Sequence, residues 1–396
     1  MNYNNPKPQR TAGIIKMTCG FLFVMFSFCY LYFLRGDVLA EAQHSYSNGL
    51  TSYSIFVGAL LITIVLQLVQ WLLALFVRFG SRWYALSYLP SFLMLAMLTD
   101  VNEDVIDRFS LGPWLWVCPI VLVLYVFAVL CAKRLDTLFD RDSVYSIFNL
   151  MWPNYVLMLI FTLVTGSIPD TTDVYNYELK TERLISEKKW KEAAEVGRLS
   201  YPTSERLTQL RMYALSRMDS LGDCLFDYPQ RYGVNGLLNI KTTDTTNRVS
   251  TSDICSYLGA HAGPSIASTD RFLQLLVERG DSMARPQAYQ YYLCGLLLDK
   301  KLDAFRAGIS KCYGDTLAAP LPRAYQEALL VGNEEYKNDS VVASLSADSI
   351  PQYLCLETIQ RYHDYYEMKD SLKNKRERIN LTRRAFGKTF WWYLDN

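Results

Sequence analysis

The sequence predicts an all-α protein in two parts: an N-terminal bundle of about five transmembrane helices, then a C-terminal domain of stacked helical hairpins. Three observations carry this prediction. Apolar residues crowd into 14–166 and charged residues crowd after it, so the net charge of +1 averages two unlike halves. Lysines and arginines of the first half fall in alternate loops. The second half mixes charged and apolar residues at the spacing of helix faces, broken by turn residues.

A bilayer core about 30 Å thick takes roughly 20 apolar residues as a helix. The stretches 14–34, 53–77, 83–98, 113–132 and 144–166 meet or approach that length. The third is short and carries Pro90 near its middle, which a membrane helix tolerates when neighbours satisfy the freed carbonyl. Lys7, Arg10 and Lys16 accompany the first, whose apolar core exceeds the roughly 7–15 residues of a cleaved signal; it reads as an uncleaved anchor. Lys7 and Arg10, then Arg78 and Arg82, then Lys133, Arg134 and Arg141 occupy alternate loops, while Asp100, Glu103, Asp104 and Asp107 make an intervening loop acidic. With five spans every basic loop falls inside; the N-terminus is then cytoplasmic and everything after Gly166 lies outside. Gln67, Gln70, Asn149 and Asn154 are the amide side chains within the spans that could bond between helices, and no Asp, Glu, Lys or Arg sits near a midplane. That argues against an ion-coupled transporter and predicts amide hydrogen bonds between helices.

The domain boundary is placed at 166/167, where "SIPDTTDVYN" reads as a linker into a helical domain spanning 167–396. Tyr177, Leu179, Leu184 and Ile185 give one helix face; a break at Lys188 and Lys189 leads to Trp190, Ala193, Ala194 and Val196, and Pro202 ends the second helix. The plan repeats over 204–229, with "DSLGD" as the turn, and again over 286–314, where "KKL" echoes "KKW". These units resemble tetratricopeptide hairpins, whose period is about 34 residues, although Thr181 stands at the usual glycine and Pro202 comes early. One hairpin cannot bury its own apolar face, so neighbours must stack, and such stacks carry concave binding grooves. Tyr289, Tyr291 and Tyr292 are the candidate lining of a partner groove. Two polar stretches, 240–252 and 331–351, lack periodicity and read as long loops.

Motifs of chemistry are few. "GKT" at 387–389 ends like a phosphate-binding loop, but Thr382 stands where its first glycine belongs. "DRD" at 140–142 and "GDVLAE" at 36–41 carry acidic groups in short loops without a nucleotide fold or enough spans around them. His44, His261 and His363 are scattered, no metal spacing is present, and the nine cysteines form no framework. No cofactor, metal or catalytic residue is expected, and the balanced charge argues against nucleic acid. Asp followed by Ser or Thr recurs at Asp170, Asp219, Asp244, Asp281, Asp315, Asp339, Asp348 and Asp370. Helix starts and turns use such pairs, and the triplets also resemble acceptors for periplasmic O-glycosylation. The C-terminal segment is basic, then aromatic. Arg383, Arg384, Phe390, Trp391 and Trp392 are therefore candidates for an anchor in the membrane interface, beside packing on the helical domain.

On "LGDCLFDYPQ" (221–230), "SDICSYLGAHAG" (252–263), "LPRAYQEALL" (321–330) and "FGKTFWWYL" (386–394), the chain resembles a group of multi-pass membrane proteins of anaerobic bacteria with a tetratricopeptide-like C-terminal domain. The resemblance implies the bacterial inner membrane and a periplasmic helical domain, but no mechanism, since that group has no established activity. The expected function is a non-catalytic scaffold, with the lipid bilayer and a protein or peptide as partners. The alternative is a component of envelope glycan or lipid processing with its site at the membrane–domain junction. Clustered, interacting acidic or histidine residues facing a pocket would favour the alternative, and a groove lined by Tyr, Asn and Arg without perturbed carboxylates would favour the scaffold.

Overall fold

Backbone groups in a bilayer core must be satisfied within their own segment, and an apolar run does this as a helix. The computed structural model describes residues 8–47, 49–77, 79–100, 112–139, 147–168, 173–198, 200–240, 248–259, 268–278, 286–313, 320–345 and 350–396, and all regular structure among them is helical. The chain divides into two compact units, Met1–Leu179 and Lys180–Asn396.

In the first unit α1 (Pro8–Cys29) runs through a π-helical turn (Tyr30–Leu34) into α2 (Gly36–Tyr46). Then come α3 (Ile55–Phe76), a 3-10 turn (Tyr84–Tyr88), α4 (Leu89–Thr99), α5 (Trp114–Phe139) and α6 (Ile147–Ser167). Four segments, Ala12–Leu34, Ile55–Phe76, Trp114–Leu135 and Leu150–Ser167, are long and apolar enough to cross a membrane, which marks the chain as membrane-associated. Their outer faces expose Phe21, Leu61, Val123 and Leu163, as lipid contact requires.

The segment expected at 83–98 differs from the other four. Pro90 lies in the first turn of α4 and not mid-helix, because its fixed φ and missing N–H suit a helix start. The 3-10 turn and α4 together hold five and eleven residues, a rise of about 26 Å. Phe92, Leu95, Ala96 and Thr99 are buried, so α4 is packed inside the bundle against α3 and α6.

Of the four amides expected to bond between helices, Gln70 and Asn154 do so, while Gln67 bonds within α3. Gln67 Nε2 donates to Gln70 Oε1 (2.9 Å), and Gln70 Nε2 donates to Tyr84 Oη (3.1 Å) and Ser87 Oγ (2.9 Å). Asn154 Oδ1 accepts from the Ala85 N–H (2.7 Å), and its Nδ2 donates to the carbonyls of Ser81 (2.9 Å) and Leu150 (2.8 Å). The side chain of Asn149 lies outside the described residues. Gly36 is required by a close approach: a Cβ there would stand 2.5 Å from Ile55 Cγ2.

The unit boundary falls inside α7 (Asp173–Ser186), beyond the change of composition at 167. The reason is packing: Tyr175 and Leu179 join Val38 and Ala42 of α2 in one apolar cluster.

The second unit is built from short helices. It contains α8 (Trp190–Glu195), α9 (Glu205–Arg217), α10 (Leu221–Cys224), α11 (Gly233–Leu237), α12 (Thr251–Leu258), α13 (Thr269–Glu278), α14 (Pro286–Leu298) and α15 (Leu302–Tyr313). After these come α16 (Arg323–Leu330), α17 (Asp339–Ser344), α18 (Leu356–Ser371), α19 (Lys375–Phe386) and α20 (Phe390–Asp395).

Three hairpins share one turn. Lys188, Asp219 and Lys300 each adopt positive φ (60°, 54° and 59°). In each, that residue's N–H returns to the carbonyl three back and the next N–H to the carbonyl five back: Lys188→Ile185 with Lys189→Leu184, Asp219→Ser216 with Ser220→Leu215, and Lys300→Leu297 with Lys301→Leu296. This double bond closes a helix end by satisfying carbonyls left over at its terminus. The "KKW", "DSLGD" and "KKL" stretches thus hold the same corner, with a residue other than glycine at the left-handed position.

Buried polar links hold the corners to their neighbours. Arg211, 1% exposed, donates through Nε (3.1 Å) and Nη2 (2.6 Å) to the Val196 carbonyl and lies over the Tyr228 ring. Glu182 pairs with Arg206 (2.6 Å). The polar stretch at 331–351 is not a plain loop, since within it Glu335–Lys337 and α17 are helical.

Candidate functional site

A cavity of about 470 Å³ opens in the second unit where α10, α16, α18 and α20 meet. Its position follows from local bonding. Pro322 leads into α16, and the first N–H of that helix, from Arg323, is capped across the fold by Asp223 Oδ1 (2.8 Å). Gln326 on α16 donates to the Leu321 carbonyl (2.6 Å) and accepts the Cys355 N–H (2.8 Å), which fixes the residue that opens α18. Two helix starts are therefore pinned on either side of one opening.

Glu327 forms the inner wall and is 1% exposed. Its Oε2 accepts the Phe390 N–H (2.6 Å), its backbone carbonyl accepts Trp391 Nε1–H (2.7 Å), and its Oε1 faces Arg323 Nε at 3.6 Å. Burial pushes its carboxyl up to about 7, against the lowering influence of the Phe390 N–H and of Arg323 and Arg361. Arg323 spends its other end on Asp227 (3.0 Å) and the Lys388 carbonyl (3.4 Å). Arg361, half-buried on α18, lines the cavity without a hydrogen-bond or ion-pair partner among the described residues. Glu357, one turn earlier on the same wall, is exposed and does not pair with it. The arrangement offers one committed acid at the back, one free guanidinium at the side and one free carboxylate at the rim. That set suits the binding of a charged group.

A second hollow, about 200 Å³, is lined by Asp270, Tyr292 and Lys301; Lys301 already bridges Asp270 and Asp299. For a metal, His363, Asp364 and Glu367 can bring ligand atoms within 4.8 Å of one another among the described residues. His363 Nε2 is taken by Asp339 (2.7 Å) and both other carboxylates are exposed, so the group is a surface contact whose imidazole is already engaged. All nine cysteines are free; burial pushes the thiol of Cys294 up to about 12, which makes it inert packing.

The sequence-derived sites fare differently. Tyr289, Tyr291 and Tyr292 do not share a groove. At about 100° per helical residue their side chains diverge: Tyr291 is fully buried, Tyr292 lines the smaller hollow and Tyr289 is half-buried. The aromatic part of the expected interfacial anchor is corrected as well. Phe390 (0% exposed) and Trp391 (1%) lie in the core, where Trp391 meets Tyr362 and Tyr365, and Trp392 is half-buried. Arg383 and Arg384 remain exposed, with Arg383 over the ring of exposed Tyr201. Lys388 and its neighbours form a corner in which Gly387 ends α19 and Thr389 Oγ1 caps α20 at the Trp392 N–H (3.3 Å). "GDVLAE" is the start of α2, with Glu41 buried. Among the Asp-Ser/Thr triplets, Asp219 is a hairpin corner and Asp339 and Asp370 lie on α17 and α18. Asp170, Asp244, Asp281, Asp315 and Asp348 lie outside the described residues, as do "DRD" and His261.

Sequence reasoning missed Arg323, Glu327 and Arg361. Arg323 and Glu327 sit four apart on a short helix and read as an ordinary surface pair. One signal was present: three of the four segments that carry the resemblance, 221–230, 321–330 and 386–394, contribute Asp223, Arg323 with Glu327, and Trp391 to this one cavity.

Neither a curated protein nor a solved structure matches the chain. A family model matches residues 105–264 and 262–396, most of the sequence and all of the second unit, and the chain therefore belongs to that family of unknown function (DUF6057).

Proposed function

We propose that this protein is a membrane-anchored binding protein, in which apolar helices hold a tetratricopeptide-like unit at the bilayer and that unit engages a partner through the cavity between α16 and α18. One observation carries the reading: a cavity of about 470 Å³ whose wall presents a half-buried arginine, Arg361, with no hydrogen-bond or ion-pair partner among the described residues. The tetratricopeptide likeness is supported by three hairpins with one corner geometry and by buried Ala193 and Ala194 following Trp190. The bacterial inner membrane with the second unit in the periplasm is supported by basic residues in alternate loops, provided that the 84–99 segment counts as a crossing.

A photo-crosslinking residue at position 357 of the full chain in its own membrane should give a discrete adduct. Filling the cavity by Thr358→Trp should abolish it, and the same probe at exposed Asp303 should give none. Equal background at both positions would remove the reading. A reporter fused after Ile168 should be active outside; activity in the cytosol would overturn the placement alone.

A second reading, envelope glycan or lipid processing, has Glu327 in its favour, because a carboxyl near 7 in a cavity suits acid–base work. It requires that Glu327→Gln reproduce the phenotype of gene deletion while the position-357 adduct persists.

A further inference from the structure

We propose that the cavity between α16 and α18 is a carboxylate-binding site, with the Arg361 guanidinium as its anchor; this rests on the binding reading above. Four features of the wall select that chemistry. First, Arg361 presents a planar fork of donors to the cavity and has neither hydrogen-bond nor ion-pair partner among the described residues. Its neighbours are committed: Arg323 to Asp227 and the Lys388 carbonyl, and Gln326 to Leu321 and Cys355. A half-buried guanidinium on a wall of otherwise committed groups is suited to pair with an anion.

Second, the anion should be small in charge. Asp223, Glu327 and Glu357 also line the cavity, so a dianionic phosphate would meet three carboxyl groups against two arginines. A carboxylate carries one charge and matches the guanidinium fork in two parallel hydrogen bonds. Third, Leu321, Pro322 and Trp391 supply apolar wall beside Arg361, which suits a carboxylate borne on a hydrophobic group. Fourth, Glu357 stands at the rim one turn from Arg361 with no ion-pair partner among the described residues, where it would attract a positive charge further along the same ligand. The volume of about 470 Å³ is that of a few residues or a small organic acid. A peptide C-terminus and a free small acid share this chemistry, and the experiment separates them.

The test uses the full chain in bilayer nanodiscs, and the readout is protection of the 355–362 backbone from hydrogen exchange. The probes are the tripeptide acetyl-Leu-Ala-Leu with a free C-terminus, the same tripeptide as its C-terminal amide, and benzoate. Protection by the free-acid tripeptide with none by its amide is expected; benzoate protecting equally well at equal concentration assigns the site to small acids, and weaker protection assigns it to peptide ends. Arg361→Gln should weaken the tripeptide by about tenfold or more, as loss of a charge-assisted pair does, and Arg361→Lys should recover part of it. Equal protection by acid and amide, unchanged binding by Arg361→Gln, or no protection by any acid at millimolar concentration would overturn the proposal. If the position-357 adduct persists in that case, the binding reading survives and only the ligand class is wrong; if the adduct is also missing, both fail.

Discussion

Glu327 gives the most direct test of the energetics. Its carboxyl is 1% exposed and burial raises it from an ordinary 4.5 to about 7. In the unfolded chain the group ionises near its ordinary value, whereas in the fold it keeps its proton until about pH 7. The stability it contributes is therefore complete below about pH 4.5 and is lost as pH rises through 7. A difference of about 2.5 pH units corresponds to about 3 kcal/mol. Glu327→Gln cannot ionise but keeps a carbonyl oxygen for the Phe390 N–H, so it should gain on the wild type by up to about 3 kcal/mol between about pH 4.5 and pH 8. Glu327→Ala removes the same titration but leaves that N–H without an acceptor, so it should cost about 1–3 kcal/mol below about pH 4.5, a cost that shrinks as pH rises through 7 and the wild type itself weakens. The assay is pulse proteolysis in graded urea on the full chain in nanodiscs, following the fragment that begins near Lys180. If the Gln and wild-type curves run parallel across pH, the carboxyl is not desolvated as described. If the wild type gains on Gln as pH rises, the group is an ionised partner of Arg323 and the reasoning is reversed.

Three further outcomes are expected. Lys188→Gly should be stabilising by up to about 1 kcal/mol in urea titration, since a positive-φ corner costs an L-residue roughly that much, while Lys188→Val should be destabilising. Gly222→Ala would place a Cβ 2.6 Å from Pro322 Cβ, and a ring cannot swing aside; a loss of about 1–3 kcal/mol is expected together with a weaker position-357 adduct. Asn154→Leu leaves the Ala85 N–H and Ser81 carbonyl without partners, so exchange at 81–88 should accelerate in nanodiscs while the 205–217 helix keeps its protection.

The long apolar helices were legible because length and composition alone decide them, and so were the amide links of Gln70 and Asn154. The start of α4 was less so: Pro90 reads equally as a mid-helix kink and as a first-turn residue, and only packing chooses. The hairpin corners at Lys188 and Lys300 were visible as repeated dipeptides, though not their left-handed backbone, which lysine rarely adopts. The aromatic C-terminus left two readings open, because Phe390 and Trp391 suit a bilayer interface and a protein core equally well, and packing on the helical domain is the one found. What seats them inside is Glu327, more than 60 residues earlier, and no local pattern announces so distant a hydrogen bond. The cavity shares that origin: Asp223, Glu327, Arg361 and Trp391 meet only after folding.

The grip of Asn154 on the Ser81–Ala85 backbone has a consequence for the order of assembly. The 3-10 entry to α4 leaves peptide groups that the segment cannot satisfy by itself, and their partner is supplied by α6, synthesised much later. The packed form of the 81–88 backbone is therefore expected to await residue 154, and a chain cut short before α6 should leave those amides open to exchange.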